Sequence, residues 1–248
     1  MENTSNNQSL VSEKLSFDRF RQEVLKDYKM ACESREASLL GRKEVLTGKA
    51  KFGIFGDGKE VAQIAAAKFF RPGDFLSGYY RDQTFALALG EATIEDFFSQ
   101  LYADPNPINE PHSGGRQMNS HFSTPYVTPE GEWLDLVNRN NIASPMAPTA
   151  AQMPRSVGFA FASKVFRQSP ELKDIEHLSD NGNEICFCTI GDASTSEGLF
   201  WESVNAAGVL QVPLAIFIWD DGYGISVPRK YQTTKNSISD ALAGMQWD

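Results

Sequence analysis

The sequence predicts an α/β fold, an open and mainly parallel sheet flanked by helices, with an N-terminal helical extension. Two short apolar runs, Ile185 to Ile190 and Leu214 to Trp219, bracket a helical-looking segment and so form a strand-helix-strand unit. The first run leads into Gly191-Asp192-Ala193-Ser194 and the second into Asp220-Asp221-Gly222. A third apolar run, Phe75 to Tyr80, also ends in a charged turn, Arg81-Asp82. Crossovers between parallel strands are right-handed, so these turns emerge at one edge of the sheet, where open α/β sheets bind ligands. Carboxylates meeting there offer hard oxygen ligands for a divalent cation.

The 248 residues suffice for one large α/β domain. Residues 1–14 are Asn/Ser/Glu-rich and read as a disordered tail, 15–50 as the helical extension and 51–248 as the α/β domain. In the extension Phe17, Phe20, Val24, Tyr28, Ala31 and Cys32 recur at helical spacing, giving an amphipathic helix that runs past Arg35. Its apolar stripe is expected to pack on the main domain or on a partner. Gly48 to Gly58 is glycine-rich and reads as turn. Glu60 to Phe70 is an Ala-rich helix closed by Arg71-Pro72-Gly73-Asp74, and a further helix opens at Gln83 and runs to Gly90. Residues 104–131 hold five prolines, and a loop that long without its own elements tends to be functional or disordered. A helix from about Pro154 to Phe166 carries Gly158, Ala160 and Ala162 for close packing, and a short one spans Ile238 to Ala243.

Composition removes several function classes. The 23 basic and 32 acidic residues give a net charge of -9, and no Lys/Arg stripe is present, so nucleic acid is not an expected partner. Cys32, Cys186 and Cys188 are an odd number, two of them in an expected buried strand, which fits packed thiols in a reducing compartment. Without CxxC or a Cys/His spacing, a zinc site is not expected. No stretch reaches the ~20 apolar residues of a membrane span. The N-terminus lacks the apolar core of a signal peptide. The chain reads as cytoplasmic, with no membrane partner.

The chemistry sits at the paired aspartates. Twenty-six residues separate Ala193 from Asp220, room for one helix and one strand. Ser194-Thr195-Ser196-Glu197 suits a helix start, whose free N–H groups favour a phosphate. Asp192, Asp221 and the carbonyl of Tyr223 could hold a cation on its other side. Either aspartate alone is an ordinary polar cap of a strand end; the pair at this spacing asks for more. Gly191-Asp192-Ala193, the gap and Asp220-Asp221 resemble the thiamine diphosphate fingerprint, Gly-Asp-Gly followed after a similar gap by Asn-Asn. Ser196-Glu197-Gly198, Asn205-Ala206-Ala207 and Asp221 to Ser226 are similar to the α-subunit, or α-like half, of 2-oxoacid dehydrogenases. Tyr79-Tyr80-Arg81-Asp82 resembles that family's diphosphate-binding Tyr-Arg pair, and Gly115-Arg116-Gln117-Met118 its branched-chain members. Gln152-Met153-Pro154 with Val157-Gly158 resembles the helix entry that follows.

The resemblance covers about residues 17 to 235 and implies a thiamine diphosphate-binding fold, with thiamine diphosphate and Mg2+ as cofactors. It places cofactor contacts at Tyr80, Arg81, Gly191, Asp192, Ala193, Ser194, Asp221 and Tyr223, the metal at Asp192, Asp221 and Tyr223. An arginine at 81 suits bidentate grip of phosphate oxygens. Anchoring on Ser-Pro adds Ser144 and Met146 to the lining, whereas anchoring on Gln152 adds Ala147 and Thr149; the first is preferred. His121, in the proline-rich loop, is the candidate catalytic residue. The implied reaction is oxidative decarboxylation of a branched-chain 2-oxoacid such as 2-oxoisovalerate, with acyl transfer to the lipoyl group of a transacylase. A β-type subunit or fused β-like half supplies the activating glutamate, and the family continues beyond the position of Asp248 with a histidine-bearing loop.

Three alternatives stay open. A pyruvate-specific member often carries His two places after the Tyr-Arg pair, where Gln83 stands here. A transketolase-like cofactor half shares the fingerprint but not the flanking motifs, and a fragment could keep the fold without turnover. The main departure is Asp220-Asp221 in place of Asn-Asn, which puts two formal negative charges, Asp192 and Asp221, around the metal and would repel a diphosphate.

Overall fold

The computed structural model describes residues 16–245, so the expected tail at 1–14 lies outside the described residues. Helix α1 (Phe17–Leu46) starts at Ser16, whose side chain accepts the Arg19 N–H at 3.3 Å. Its packing face differs from the expected one. Phe17, Phe20, Val24 and Tyr28 are exposed, whereas Ser34, Ala37, Ser38, Gly41 and Glu44 are buried. Small residues win this face because the next helices approach closely: Ser34 Oγ lies 2.7 Å from Thr84 Oγ1, and Gln83 Nε2 donates to Ser34 and Ser38 hydroxyls at 3.0 and 2.8 Å.

Helices α2 (Glu60–Ala67), α3 (Gln83–Leu89) and α4 (Ile94–Leu101) complete this layer. Gly90 ends α3 at φ 75°, the left-handed position glycine adopts without strain. Helix α4 is not among the expected elements, although Thr93 and Asp96 build a reciprocal capping box at its start.

Strands β1 (Phe75–Ser77), β2 (Asn141–Ala143), β3 (Cys186–Gly191) and β4 (Leu214–Trp219) form one sheet in the order β2-β1-β3-β4, every pair parallel. Strand β2 is also absent from the sequence reading: three residues carry no period, and pairing with β1 alone makes them a strand. Helices α5 (Gln152–Gln168) and α6 (Gly198–Leu210) cover the second face. Both faces are apolar, as crossover helices on each side require. Leu76, Ile142, Phe187 and Trp219 join the core under α1 to α4, while Cys188 and Ile190 pack with Met153 of α5 and Phe200 of α6. A hairpin, β5 (Tyr223–Gly224) with β6 (Val227–Pro228), and helix α7 (Ile238–Leu242) follow.

The proline-rich loop is ordered by one buried carboxylate. Glu110 accepts the N–H groups of His112, Ser113 and Gly115 at 3.0, 3.0 and 2.8 Å, and the Ser113 hydroxyl at 2.6 Å. Four donors to one charge replace the ladder that a prolyl backbone cannot form. The loop also covers the outer edge of β2, where the Thr124 N–H donates to the Ile142 carbonyl at 2.9 Å.

Because β1 and β3 are spatial neighbours while the chain leaves β1 for β2, the sheet reverses its winding between them. A crevice opens there, outside the carboxyl ends of the strands.

Candidate functional site

The turn after β1 is built around Asp82. Its Oδ2 accepts the Tyr79 N–H at 3.1 Å and the Thr189 hydroxyl of β3, and Oδ1 accepts the Trp219 indole N–H of β4 at 2.9 Å. One carboxylate thus joins the ends of three strands. Burial is the largest influence on it and pushes its pKa up to about 6, against these hydrogen bonds. The turn holds Tyr79, Tyr80 and Arg81 at the rim. Arg81 Nη1 donates to the Phe55 carbonyl at 2.5 Å, and its own carbonyl accepts from Gln63 Nε2 at 2.9 Å. Gly56 lies against that carbonyl so closely that a Cβ there would collide with it. The loop before α2 and the Arg81 turn are therefore fitted to one another.

From β3, Gly191 leads into Asp192, 4% exposed, whose Oδ2 has no hydrogen-bond partner. Burial, and then the charges of Asp220 and Asp221, raise its pKa. From β4, Asp220 and Asp221 use their first oxygens on the N–H groups of Gly222 and Tyr223, at 3.0 and 3.1 Å. The cavity so enclosed measures about 500 Å³. Tyr80, Arg81, Gly191, Asp192, Ala193, Ser194, Asp221 and Tyr223 all line it, as do Arg42, Asp57 and Lys59 from the α1–α2 side.

Other expected residues lie elsewhere. Thr149 is on the wall; Ser144, Met146 and Ala147 are not. Ser144 is occupied instead by Arg155, whose Nη1 donates to its carbonyl at 2.7 Å. The extra residues between Ser-Pro and Gln152 shift the lining position toward the helix. His121 is not among the residues that line the cavity: it is 1% exposed, its Nδ1 lies 3.1 Å from the Asn119 carbonyl, and Gln100 brackets its backbone at 3.0 and 3.1 Å. Burial holds its pKa below the ordinary histidine value, which favours a neutral ring packed in the loop base. The expected helix start at Ser194 is a 3₁₀ turn, Ala193–Ser196, with α6 beginning only at Gly198. Thr195 and Glu197 already spend their N–H groups on the carbonyls of Asp192 and Ser194, so these two are not free to meet an anion.

A family model described as dehydrogenase E1 component matches residues 28–246. The chain belongs to that family. Within the E1 component family it is similar to the 2-oxoisovalerate dehydrogenase subunit alpha of Bacillus subtilis (strain 168), at 33% identity over 199 residues covering 80% of this chain and 51% of the relative. The mitochondrial subunits alpha of Caenorhabditis elegans and Mus musculus are 28% and 26% identical, covering 79% and 88% of this chain but 38% and 42% of theirs. The chain therefore spans about half, or less, of the length of these relatives.

The donor set suits a metal-bound diphosphate of the kind the E1 resemblance implies. A buried carboxylate oxygen without a partner, crowded by two more carboxylates, seeks a cation. Among the described residues no three His, Cys, Asp or Glu side chains form a metal site by themselves, so a cation here would share its shell with a ligand's own oxygens. Arg81 forms no ion pair among the described residues and is available to an anion. No helix among them is long and apolar enough to cross a membrane. Sequence reasoning missed Lys59 and the hub role of Asp82. Lys59 left a faint signal, a cation between a glycine-rich turn and a helix; that of Asp82 depends on contacts from two distant strands.

Proposed function

We propose that this chain is the diphosphate- and metal-binding half of a thiamine diphosphate-dependent 2-oxoacid dehydrogenase of branched-chain type. Its reaction is oxidative decarboxylation of a 2-oxoacid such as 2-oxoisovalerate, passing the acyl group to a lipoyl group on a transacylase, with a β-type subunit or β-like half completing the site. The observation that carries the reading is the buried, partnerless Oδ2 of Asp192, a residue that shares the wall of a cavity of about 500 Å³ with Arg81. The names of the relatives favour the branched-chain substrate over pyruvate.

Thiamine diphosphate, when bound, supplies the electron sink for decarboxylation. The residues of this chain bind and orient. Asp192, Asp221 and the Tyr223 carbonyl would hold Mg2+ against the diphosphate, and Arg81 would grip its oxygens from the β1 turn. Tyr79 is buried beneath, its ring 3.6 Å from where a Gly191 Cβ would stand.

Replacing Asp192 by Asn, which keeps the shape and removes the charge, is expected to weaken Mg2+-dependent thiamine diphosphate binding at least tenfold in titration calorimetry, roughly the loss of one charge-assisted contact. Unchanged affinity would exclude the metal role. With a β-type partner present, carbon dioxide release from 2-oxoisovalerate should exceed that from pyruvate. Release from neither acid would remove the dehydrogenase reading.

A further inference from the structure

The aspartates at 220 and 221, where the fingerprint carries amides, each have a dedicated cation. Lys59 Nζ donates to Asp221 Oδ2 at 2.7 Å, across 162 positions of sequence, and Arg229 Nη1 donates to Asp220 Oδ2 at 2.7 Å from the 3₁₀ turn that follows the hairpin. Lys59 is 9% exposed and lines the cavity. Among the described residues Asp221 is its one ion-pair partner.

The charges lining the cavity can be paired off. Arg42 is held by Asp57 at 2.8 and 3.0 Å, and Lys59 by Asp221, which leaves Arg81 for an anion, and Asp192 and Glu197 for a cation. Taken without Lys59, Asp221 would be a second unbalanced carboxylate beside Asp192. With Lys59 in place, the pair carries the same net charge as an amide, so the repulsion expected from the sequence is cancelled inside the fold.

We propose that Lys59 is a positioning residue that supplies the counter-charge to Asp221, making a second carboxylate compatible with a metal-bound diphosphate in this cavity. It acts through Asp221: the ammonium fixes the orientation of that carboxylate, leaving Oδ1 on the Tyr223 N–H at 3.1 Å, and neutralises its field toward the ligand. The inference rests on the diphosphate reading of the site and adds a residue to it.

The test is a double-mutant cycle read by calorimetry on the full chain, with magnesium pyrophosphate as one probe and thiamine diphosphate with Mg2+ as the other. Lys59→Met is expected to weaken both about tenfold, the scale of one partly screened charge at short range. Lys59→Arg, which keeps the charge, should stay within about threefold, and Lys59→Met/Asp221→Asn should bind both probes more tightly than Lys59→Met, because the uncompensated charge is gone while the amide oxygen can still face the cation. Urea unfolding of each variant separates loss of binding from loss of fold, and Lys59→Arg carries the test if Lys59→Met does not fold. Wild-type affinity in Lys59→Met overturns the inference. So does a double variant as weak as the single one, since the ammonium would then be serving the ligand directly. A wild type that binds magnesium pyrophosphate but not thiamine diphosphate rejects the cofactor reading while leaving Lys59 its role; binding of neither rejects both.

Discussion

Asp82 carries its carboxylate at the base of the crevice, where Tyr79, Thr189 and Trp219 all donate to it. Its folded pKa of about 6 stands above the ordinary aspartate value of 3.8, so the folded state holds this proton more tightly than the unfolded chain does. Stability from this group is therefore fully present below about pH 4 and is lost as pH rises through about 6, a swing of about 3 kcal/mol. Asp82→Asn cannot ionise, so the stability of wild type relative to this variant is expected to fall by about 2 kcal/mol between about pH 4 and pH 7 in urea titrations. Parallel pH profiles would show that the carboxylate does not titrate there. The carboxylate is retained for geometry: an amide offers one acceptor oxygen where four donors converge. Asp221 shows the opposite balance. Burial pushes its pKa up, but the Lys59 and Tyr223 contacts outweigh it and hold the carboxyl below the ordinary range, so it stays ionised at neutral pH.

Among the elements, the crossover β3-α6-β4 sets the site, because its two ends deliver Asp192 and Asp221. Helix α6 closes at Gln211 in the left-handed conformation, φ 49° and ψ 57°, with its N–H donating back to Gly208 at 3.0 Å. A side chain there costs about 1–2 kcal/mol that glycine does not. Gln211 is exposed, so Gln211→Gly should raise stability by about 0.5–1 kcal/mol after the extra freedom of the unfolded chain is subtracted, seen as a higher thermal midpoint. A lower midpoint would mean that the cap is held by contacts of the Gln211 side chain. The α6 segment also shows why the expected helix start slipped. Ser194 to Glu197 has the composition of a cap, but Asp192 draws the chain into tight i to i+3 bonds first, and Glu197 adopts an extended conformation before the helix begins.

Across the whole molecule, the two edges of the sheet are treated differently. The β2 edge is closed by the loop ordered around Glu110, whereas β4 has five of six residues only part-buried and, among the described residues, no strand on its outer side. Hydrogen exchange on the isolated chain should find the amides of β3 most protected and the outward amides of β4 exchanging faster, since an open edge leaves half its donors in water. A β-type partner that covers this edge would slow β4 selectively, and uniform protection without it would contradict the open edge. The exposed Phe17, Phe20, Val24 and Tyr28 stripe of α1 sits far along the chain from this edge and contributes nothing to the core.

The sequence by itself determined the crossover unit, its strands to within a residue, and the turns that reach the cavity: Tyr80, Arg81, Asp192 and Asp221 were legible because apolar runs and the small polar residues ending them are local signals. Strand β2, the small-residue face of α1, the burial of His121 and the choice of Thr149 over Ser144 and Met146 as lining were decided only by tertiary structure. Each depends on which distant segment arrives as neighbour. The charge balance of the site belongs to the same class: Asp221 reads as a surplus negative charge in one dimension, and becomes half of a neutral pair only when α2 brings Lys59 to within 2.7 Å. Electrostatic energy depends on distance through space, and the 162 residues between the partners hide that distance from the sequence.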